Sequence, residues 1–584
     1  MTDFEVWAPD ARTVHLVLEG SRSLPLNSTE GGWWRLSVPD APPGTDYSYS
    51  IDGGKPLPDP RSPWQPYGVH GSSRTLDHAA FVWADEGWQP PPLSSAVIYE
   101  LHVGTFTREG TFESAIHKLD HLIQLGVTHI ELMPVAEFPG ERGWGYDGVD
   151  LFAPHHAYGG PVGLKRFVDA CHSRGVAVLL DVVYNHLGPD GNYLSAFGPY
   201  FTEHYHTPWG QAVNFDGPGS VEVRRFFIDN ARAWLRDYHF DGLRLDAIHA
   251  IFDASAIHFL EQLAAEIRDL EAETGRRYDL IAENDLNDPR VVTSREAGGY
   301  GFDAQWNDDF HHALHSVLTG ERIGYYSDFG KLADLAASLK NVYVYAGRYS
   351  EYRQRIQGRS VRDLPAHRFV GFLQNHDQVG NRAKGDRSSQ LLSIRMLKIG
   401  AALVLCAPFV PMLFQGEEFG AATPFLYFTD HPDPALAAAV SKGRRDEFAS
   451  FGWKPEEIPD PQDRRSFESS KLDWSQIEHH PHDDILRWYR SMIALRRSHP
   501  GLQEGSLDSL DVEYDVESES WLILYRQSVA VICNLSGERR SLSVRFAGAP
   551  LLASDPNFMM HENVVEIPGE TVLIIEQTAT RPVS

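Results

Sequence analysis

Phe240-Asp241-Gly242-Leu243-Arg244-Leu245-Asp246-Ala247-Ile248-His249 is a short apolar run opened by Asp-Gly, with two charged residues where a buried strand carries none. Leu243, Leu245 and Ile248 read as strand core, while Arg244 and Asp246, two apart, point to one face of a pleated strand. A lone buried carboxylate is costly, but one beside a guanidinium stays ionised. Two readings fit the pair equally: a structural ion pair, or a carboxylate held rigidly at a strand end as a nucleophile or cation stabiliser.

The same construction recurs three times, and the recurrence decides the fold. The apolar run 176–181 leads into Val182-Val183-Tyr184-Asn185-His186, the run 278–282 ends in Glu283-Asn284, and 369–373 ends in Gln374-Asn375-His376-Asp377. Polar groups collected at the ends of successive strands mark an α/β fold, a (β/α)8 barrel with its site on the C-terminal face. Strand-helix alternation agrees, with further strands expected at 97–103, 127–133, 302–306 and 409–414. Between the first two, Phe112, Ala115, Leu119, Leu122 and Ile123 form one helical stripe closed by Gly126.

The barrel is expected over 96–490, with an inserted loop region at 187–219 after the third strand. Residues 1–90 read as an N-terminal β-sandwich, with short β-prone runs and turn signals such as Asp52-Gly53-Gly54. The proline-rich Gln89-Pro90-Pro91-Pro92-Leu93-Ser94-Ser95 reads as a linker between domains. Residues 500–584 return to β-prone runs and read as a C-terminal antiparallel domain. A chain of 584 residues exceeds one core, so two or three domains are expected.

Composition narrows the partners. A net charge of −28 argues against nucleic acid and anionic membrane surfaces, both polyanions, but is compatible with a neutral glucan. Hydrophobic content of 42% and charged content of 23% fit an ordinary globular chain. Cys171, Cys406 and Cys533 sit far apart in apolar segments and read as buried free thiols. No secretory leader and no apolar run long enough to span a membrane are read in the sequence, so a cytoplasmic location is expected; separately, the chain is expected to be a monomer.

The four segments ending in Asp181 to His186, Gly242 to His249, Ile281 to Asn284 and Leu373 to Asp377 resemble, in order, the four motif regions of the α-amylase family of retaining glycoside hydrolases. The resemblance implies Asp246 as nucleophile, Glu283 as general acid and then base, and Asp377 as a third carboxylate that orients the sugar. It also implies His186 and His376 as partners of sugar hydroxyls, with Arg244 and Asn375 beside them. Tyr146, in Gly143-Trp144-Gly145-Tyr146-Asp147, would be the ring on which the sugar stacks. The chemistry is coherent: retention needs two carboxyl groups about 5–5.5 Å apart, one ionised and one protonated. Arg244 would keep Asp246 ionised, and burial near other acids would raise the pKa of Glu283.

Within that family, Val6-Trp7-Ala8-Pro9, Tyr99-Glu100-Leu101-His102-Val103-Gly104-Thr105-Phe106 and Trp209-Gly210-Gln211-Ala212-Val213-Asn214-Phe215-Asp216 are similar to branching, debranching and trehalose-releasing members. The segments 58–71, 282–288 and 305–312 resemble the trehalose-releasing branch, which hydrolyses the α-1,4 bond beside the terminal trehalose of a maltooligosyl trehalose. That likeness implies functional pairing with a malto-oligosyltrehalose synthase. One departure is informative: many amylases have Lys-His where this chain has His249-Ala250, on the leaving-group side, which suits a leaving group such as trehalose. Asp308 and Asp309 are candidate contacts for trehalose hydroxyls. A branching transferase, a general α-amylase and a non-catalytic scaffold are the competing readings. The presence of all three carboxylates weighs against the scaffold.

No cofactor and no required metal are expected. His155-His156, His204, His206 and His311-His312 lack a clean zinc spacing and read as loop and surface histidines. Calcium sits near an asparagine like Asn185 in many amylases, but Asn185 can equally bond to neighbouring loops. Trp33-Trp34 and Trp64 read as a glucan platform or as sandwich core and interface, whereas Trp209 and Trp306 are expected in loops at the barrel mouth. The charge runs within 441–470 read as a solvated segment.

Overall fold

In the computed structural model, which describes residues 2–18, 22–449 and 454–578, eight short strands pair in parallel and close on themselves. They are β1 (Ile98–Leu101), β2 (His129–Leu132), β3 (Ala177–Val182), β4 (Gly242–Leu245), β5 (Asp279–Ala282), β6 (Ala304–Trp306), β7 (Phe369–Phe372) and β8 (Val410–Phe414). The ring closes where Phe414 of β8 lies opposite Glu100 of β1. The strands fall within one or two residues of their expected places except β4, which ends at Leu245, so that Ile248, expected as strand core, instead opens a 3-10 turn over Ile248–Ala250.

Alternation along the strands sorts the side chains. Ile98, Leu179, Ile281, Val370 and Met412 form an inner apolar cluster, while Tyr99, Leu101, Leu180 and Leu243 join the larger core shared with the helices. Two residues further along, the inner face turns polar: Glu100 follows Ile98, and Asp181 follows Leu179. Glu100 is in register with Glu131, and Asp181 with Arg244. A charged layer thus sits on an apolar one, at the strands' C-terminal ends.

The outer helices include α1 (Gly160–His172), α2 (Ser220–Asp237), α3 (Phe259–Thr274), α4 (Asp308–Thr319), α5 (Ile394–Cys406) and α6 (His482–Ser498). The stripe expected as a single helix after β1 is two helices, Phe112–Ile116 and Leu119–Leu125, separated at Lys118, whose ammonium lies 4.5 Å from the Trp474 ring centroid. Gly126 ends the second at φ 102. The inserted region holds a short helix, Leu194–Phe197, and a hairpin of Phe201–Thr207 with Gly210–Val213.

Before the barrel, a three-stranded and a four-stranded sheet form a sandwich. It docks on α2, where Trp33 donates to Glu222 at 3.3 Å and Arg61 to Asp229 at 2.9 Å. Trp34 is buried and donates to the Ala8 carbonyl, so these tryptophans serve interface and core. Trp64 lies beneath the Arg74 guanidinium at 4.9 Å.

The chain then crosses beneath the barrel, and this stretch is not a free tether. Gln89 donates to the Gly275 carbonyl, and Arg277 donates to the carbonyls of Pro90 and Pro91. The Asp85 carboxylate is met by His172 at 2.9 Å, His239 at 2.8 Å and Arg276 at 3.3 Å. After the barrel come five-stranded and three-stranded antiparallel sheets, tied to the end of α5 by Arg526, which donates to the carbonyls of Cys406 and Ala407. All three cysteines are free and buried. No helix among the described residues is long and apolar enough to cross a membrane.

Candidate active site

Arg244 is the centre of the charged layer. Its Nη1 donates to Asp181 Oδ2 at 2.7 Å and to Asp246 Oδ1 at 3.0 Å, and its Nη2 lies 3.0 Å from Glu283 Oε2 as an ion pair without hydrogen-bond alignment. The guanidinium is fully buried and rests 4.0 Å from the Trp306 ring centroid. One planar cation can serve three carboxylates because its donors fan out in a plane, which an ammonium cannot match. Its two amino nitrogens hold Asp246 and Glu283 side by side.

The backbone after β4 tightens this pairing. Ala247 adopts φ 38, a left-handed conformation unusual for a residue with a side chain, and its N–H donates to Glu283 Oε2 at 2.8 Å. Asn185 Nδ2 donates to Asp246 Oδ2 at 2.8 Å and also to the Asp246 carbonyl. The pKa of Glu283 is raised, first by burial and then by the Asp246 charge, against the opposing pull of Arg244. Burial likewise pushes Asp181 up to about 7, with Arg244 opposing.

A second group of residues faces the first. His376 Nδ1 lies 2.5 Å from Glu100 Oε1, and the His376 backbone N–H donates to Glu100 Oε2 at 2.9 Å. Its Nε2 lies 2.7 Å from the Tyr146 hydroxyl and 3.5 Å from Asp377 Oδ2. Burial opposes protonation of His376, but the charges of Asp377 and Glu100 outweigh it and push the imidazole up to about 10. Tyr146 donates to Asp181 Oδ2 at 2.6 Å, and its ring stacks on His376 with centroids 5.1 Å apart. Gly145 before it is at φ +100, where an added Cβ would sit 2.1 Å from the Pro134 carbonyl oxygen, so the loop needs glycine there. Asp377 accepts from Asn381 at 2.9 Å and leaves about a third of its side chain exposed.

Glu100 and Glu131 were not legible as site residues in the sequence. Glu131 is buried with both carboxyl oxygens unpartnered, and burial raises its pKa well above the ordinary value. The signal that could have found them is the acidic residue at the same inward position of two adjacent apolar strands.

Other expected residues are placed as follows. His186 lies in the cleft, its ring stacked on Trp209 at 4.3 Å. His249 sits beside Glu283, its Nδ1 3.4 Å from the Asp285 backbone N–H, which donates to it. Asp308, at the first turn of α4, is pushed well up by burial, with Glu283, Asp285 and Asp377 as neighbouring charges. Asp309 differs from expectation: it is buried, and its Oδ2 accepts the Val344 and Tyr345 N–H groups at 2.7 Å each, anchoring a loop. Asn375 also differs, being buried with its Oδ1 accepting from the Gln378 N–H at 2.7 Å as a helix cap. Trp306 is not in a loop but ends β6 as a buried ring under Arg244. The paired histidines are not all surface residues either, since His155, His311 and His312 are buried.

Two family models match the chain, the alpha amylase catalytic domain over residues 81–206 and carbohydrate-binding module 48 (isoamylase N-terminal domain) over residues 1–67. A malto-oligosyltrehalose trehalohydrolase of Arthrobacter ramosus is 54% identical over 501 residues, covering 85% of this chain and 87% of that protein. One from a Rhizobium species is 49% identical over 582 residues, covering 98% of this chain and 97% of its own length. The chain belongs to the malto-oligosyltrehalose trehalohydrolases of the α-amylase family. A branching enzyme of Vibrio cholerae is more distant, 33% identical over 359 residues and covering 54% of this chain and 49% of that enzyme. Among solved structures, a Salmonella typhimurium protein assigned to the alpha amylases superposes with a TM-score of 0.91 at 38% identity, covering 98% of this chain and 97% of that one. The trehalohydrolase relatives thus span sandwich, barrel and C-terminal sheets together, not the barrel alone.

Proposed function

We propose that this chain cleaves the α-1,4 bond next to the terminal trehalose of a maltooligosyl trehalose, releasing trehalose with retention at the cleaved carbon. The chemistry rests on one observation: Asp246 and Glu283 hang from opposite amino nitrogens of the Arg244 guanidinium. The choice of substrate rests on trehalohydrolase relatives that match this chain over nearly its full length.

Glu283, its carboxyl raised by burial, gives its proton to the glycosidic oxygen as trehalose departs. An oxygen of Asp246, ionised beside Arg244, bonds to the anomeric carbon and forms a glycosyl ester. Water then attacks that carbon, gives a proton to the Glu283 carboxylate, and frees Asp246 and the maltooligosaccharide. Asp377 and His376 hold the sugar hydroxyls, with His376 kept cationic by Glu100. His186 and the half-exposed ring of Tyr146 border the same sugar, while His249 and Asp308 lie on the leaving-group side near Glu283.

Product analysis on maltotriosyl trehalose and maltopentaose under identical conditions tests this. Trehalose should appear far faster than any sugar from maltopentaose. Equal cleavage of both, or new α-1,6 linkages, would replace this reading with a general amylase or a branching transferase.

A further inference from the structure

We infer that Glu137, His155 and His156 form a binding site for one divalent transition-metal ion of the zinc class, at the base of the loop that carries Tyr146. Their ligand atoms lie within 4.8 Å of one another. The hairpin explains how residues so far apart in sequence meet: Glu137 ends the short strand Ala136–Glu137, which pairs with Asp150–Pro154, and the two histidines follow directly.

His156 Nδ1 lies 2.6 Å and His155 Nδ1 3.3 Å from the same oxygen, Glu137 Oε1. The His155 and Glu137 side chains have no exposed surface, and that of His156 has 21%. Both ring nitrogens of His155 lack a hydrogen-bond partner, a costly state for a buried imidazole and one a metal ion would relieve. Phe138 stacks on that imidazole at 3.7 Å and fixes its plane. Two imidazoles, one carboxylate and one open side make a donor set suited to zinc.

Entry is from the side of His156, where Glu141 Oε1 stands 3.3 Å from His156 Nε2. Binding replaces the proton between His156 and Glu137 by the cation. That proton leaves to solvent, and no electrons move. The loop between Glu137 and Asp150 presents Tyr146 to Asp181 and His376, so the ion would clamp both ends of that loop.

The test uses the full chain without a histidine tag, stripped with chelator and titrated with zinc chloride by calorimetry, with thermal unfolding in parallel. One zinc per chain and a raised Tm are expected, with binding at least tenfold weaker in His156→Gln. No bound zinc, or the same affinity in that variant, overturns the site. Cobalt(II) added to the unmutated chain gives a second readout: intense visible bands of a tetrahedral ion support the site, and their absence overturns it whether or not the variant folds.

Discussion

Asp241 and Asp246 flank β4, five residues apart, each a buried carboxylate beside cations, yet they do different things. At the lower end, Asp241 accepts from His172 at 2.9 Å, the Val178 N–H at 2.8 Å and Trp88 at 2.8 Å, and is 1% exposed. At the upper end, Asp246 accepts from Arg244 and Asn185 and is 8% exposed toward the cleft. A carboxylate whose lone pairs are all engaged fixes structure. One held from behind, with a single donor on each oxygen and some exposure toward the cleft, keeps a lone pair for a reacting carbon and can do chemistry. Burial and charge pairing alone do not separate the two; the unengaged direction does.

The comparison is broken most directly by Asp246→Asn. Activity should fall by about 10⁴-fold or more, the scale of removing a nucleophile, with the thermal unfolding curve unmoved. An active Asp246→Asn chain would remove the distinction drawn here. Glu283→Gln should cost roughly 10²–10⁴-fold in kcat/KM on the natural substrate, as expected for a lost general acid, and much less in kcat/KM on an aryl glycoside whose leaving group needs no proton. Equal losses on both substrates would deny Glu283 that role.

Glu100→Gln sharpens the contrast from behind the site. We expect kcat to drop about tenfold, the equivalent of ~1.4 kcal/mol from one charged hydrogen bond. Its pH signature follows from His376, raised from 6.5 to about 10 in the folded chain. The stabilisation is full below pH 6.5 and disappears as pH rises through about 10. Thermal unfolding of wild type and Glu100→Gln should therefore differ most near pH 6 and converge towards pH 10. A gap that widens with pH would refute the pairing. Asp241→Asn is the smallest in activity: kcat should hold while the Tm falls, reflecting about 1–3 kcal/mol from weakened buried hydrogen bonds. A loss of kcat at unchanged Tm would show that the lower end of β4 belongs to the chemistry.

The barrel was readable because its strands are apolar runs with a two-residue period that end in polar clusters, and that pattern is local. Arg244, Asp246 and Glu283 were readable for the same reason. Asp309 was misplaced because sequence shows a polar residue near a strand end but not whether a loop returns to use it; the Val344 and Tyr345 N–H groups arrive from 35 and 36 residues away. Glu100 stayed hidden because its partner His376 lies 276 residues on, a separation no periodicity encodes. The histidines at 155 and 156 read as surface residues because the hairpin that buries one of them against Glu137 is fixed by pairing, not by spacing.

The Asp85 latch has a consequence for how the chain is made. Its partners His172, His239 and Arg276 come 87, 154 and 191 residues later. At roughly 5–20 residues per second, a ribosome needs about 10–40 seconds to go from the acid to its last cation. Through that interval the sandwich can fold, while the carboxylate beside it gains its partners one at a time, His172 first and Arg276 last. The floor of the barrel can be sealed only when the segment leading into the fifth strand has emerged, so the first domain to be synthesised is fully fastened only once nearly half of the chain is out.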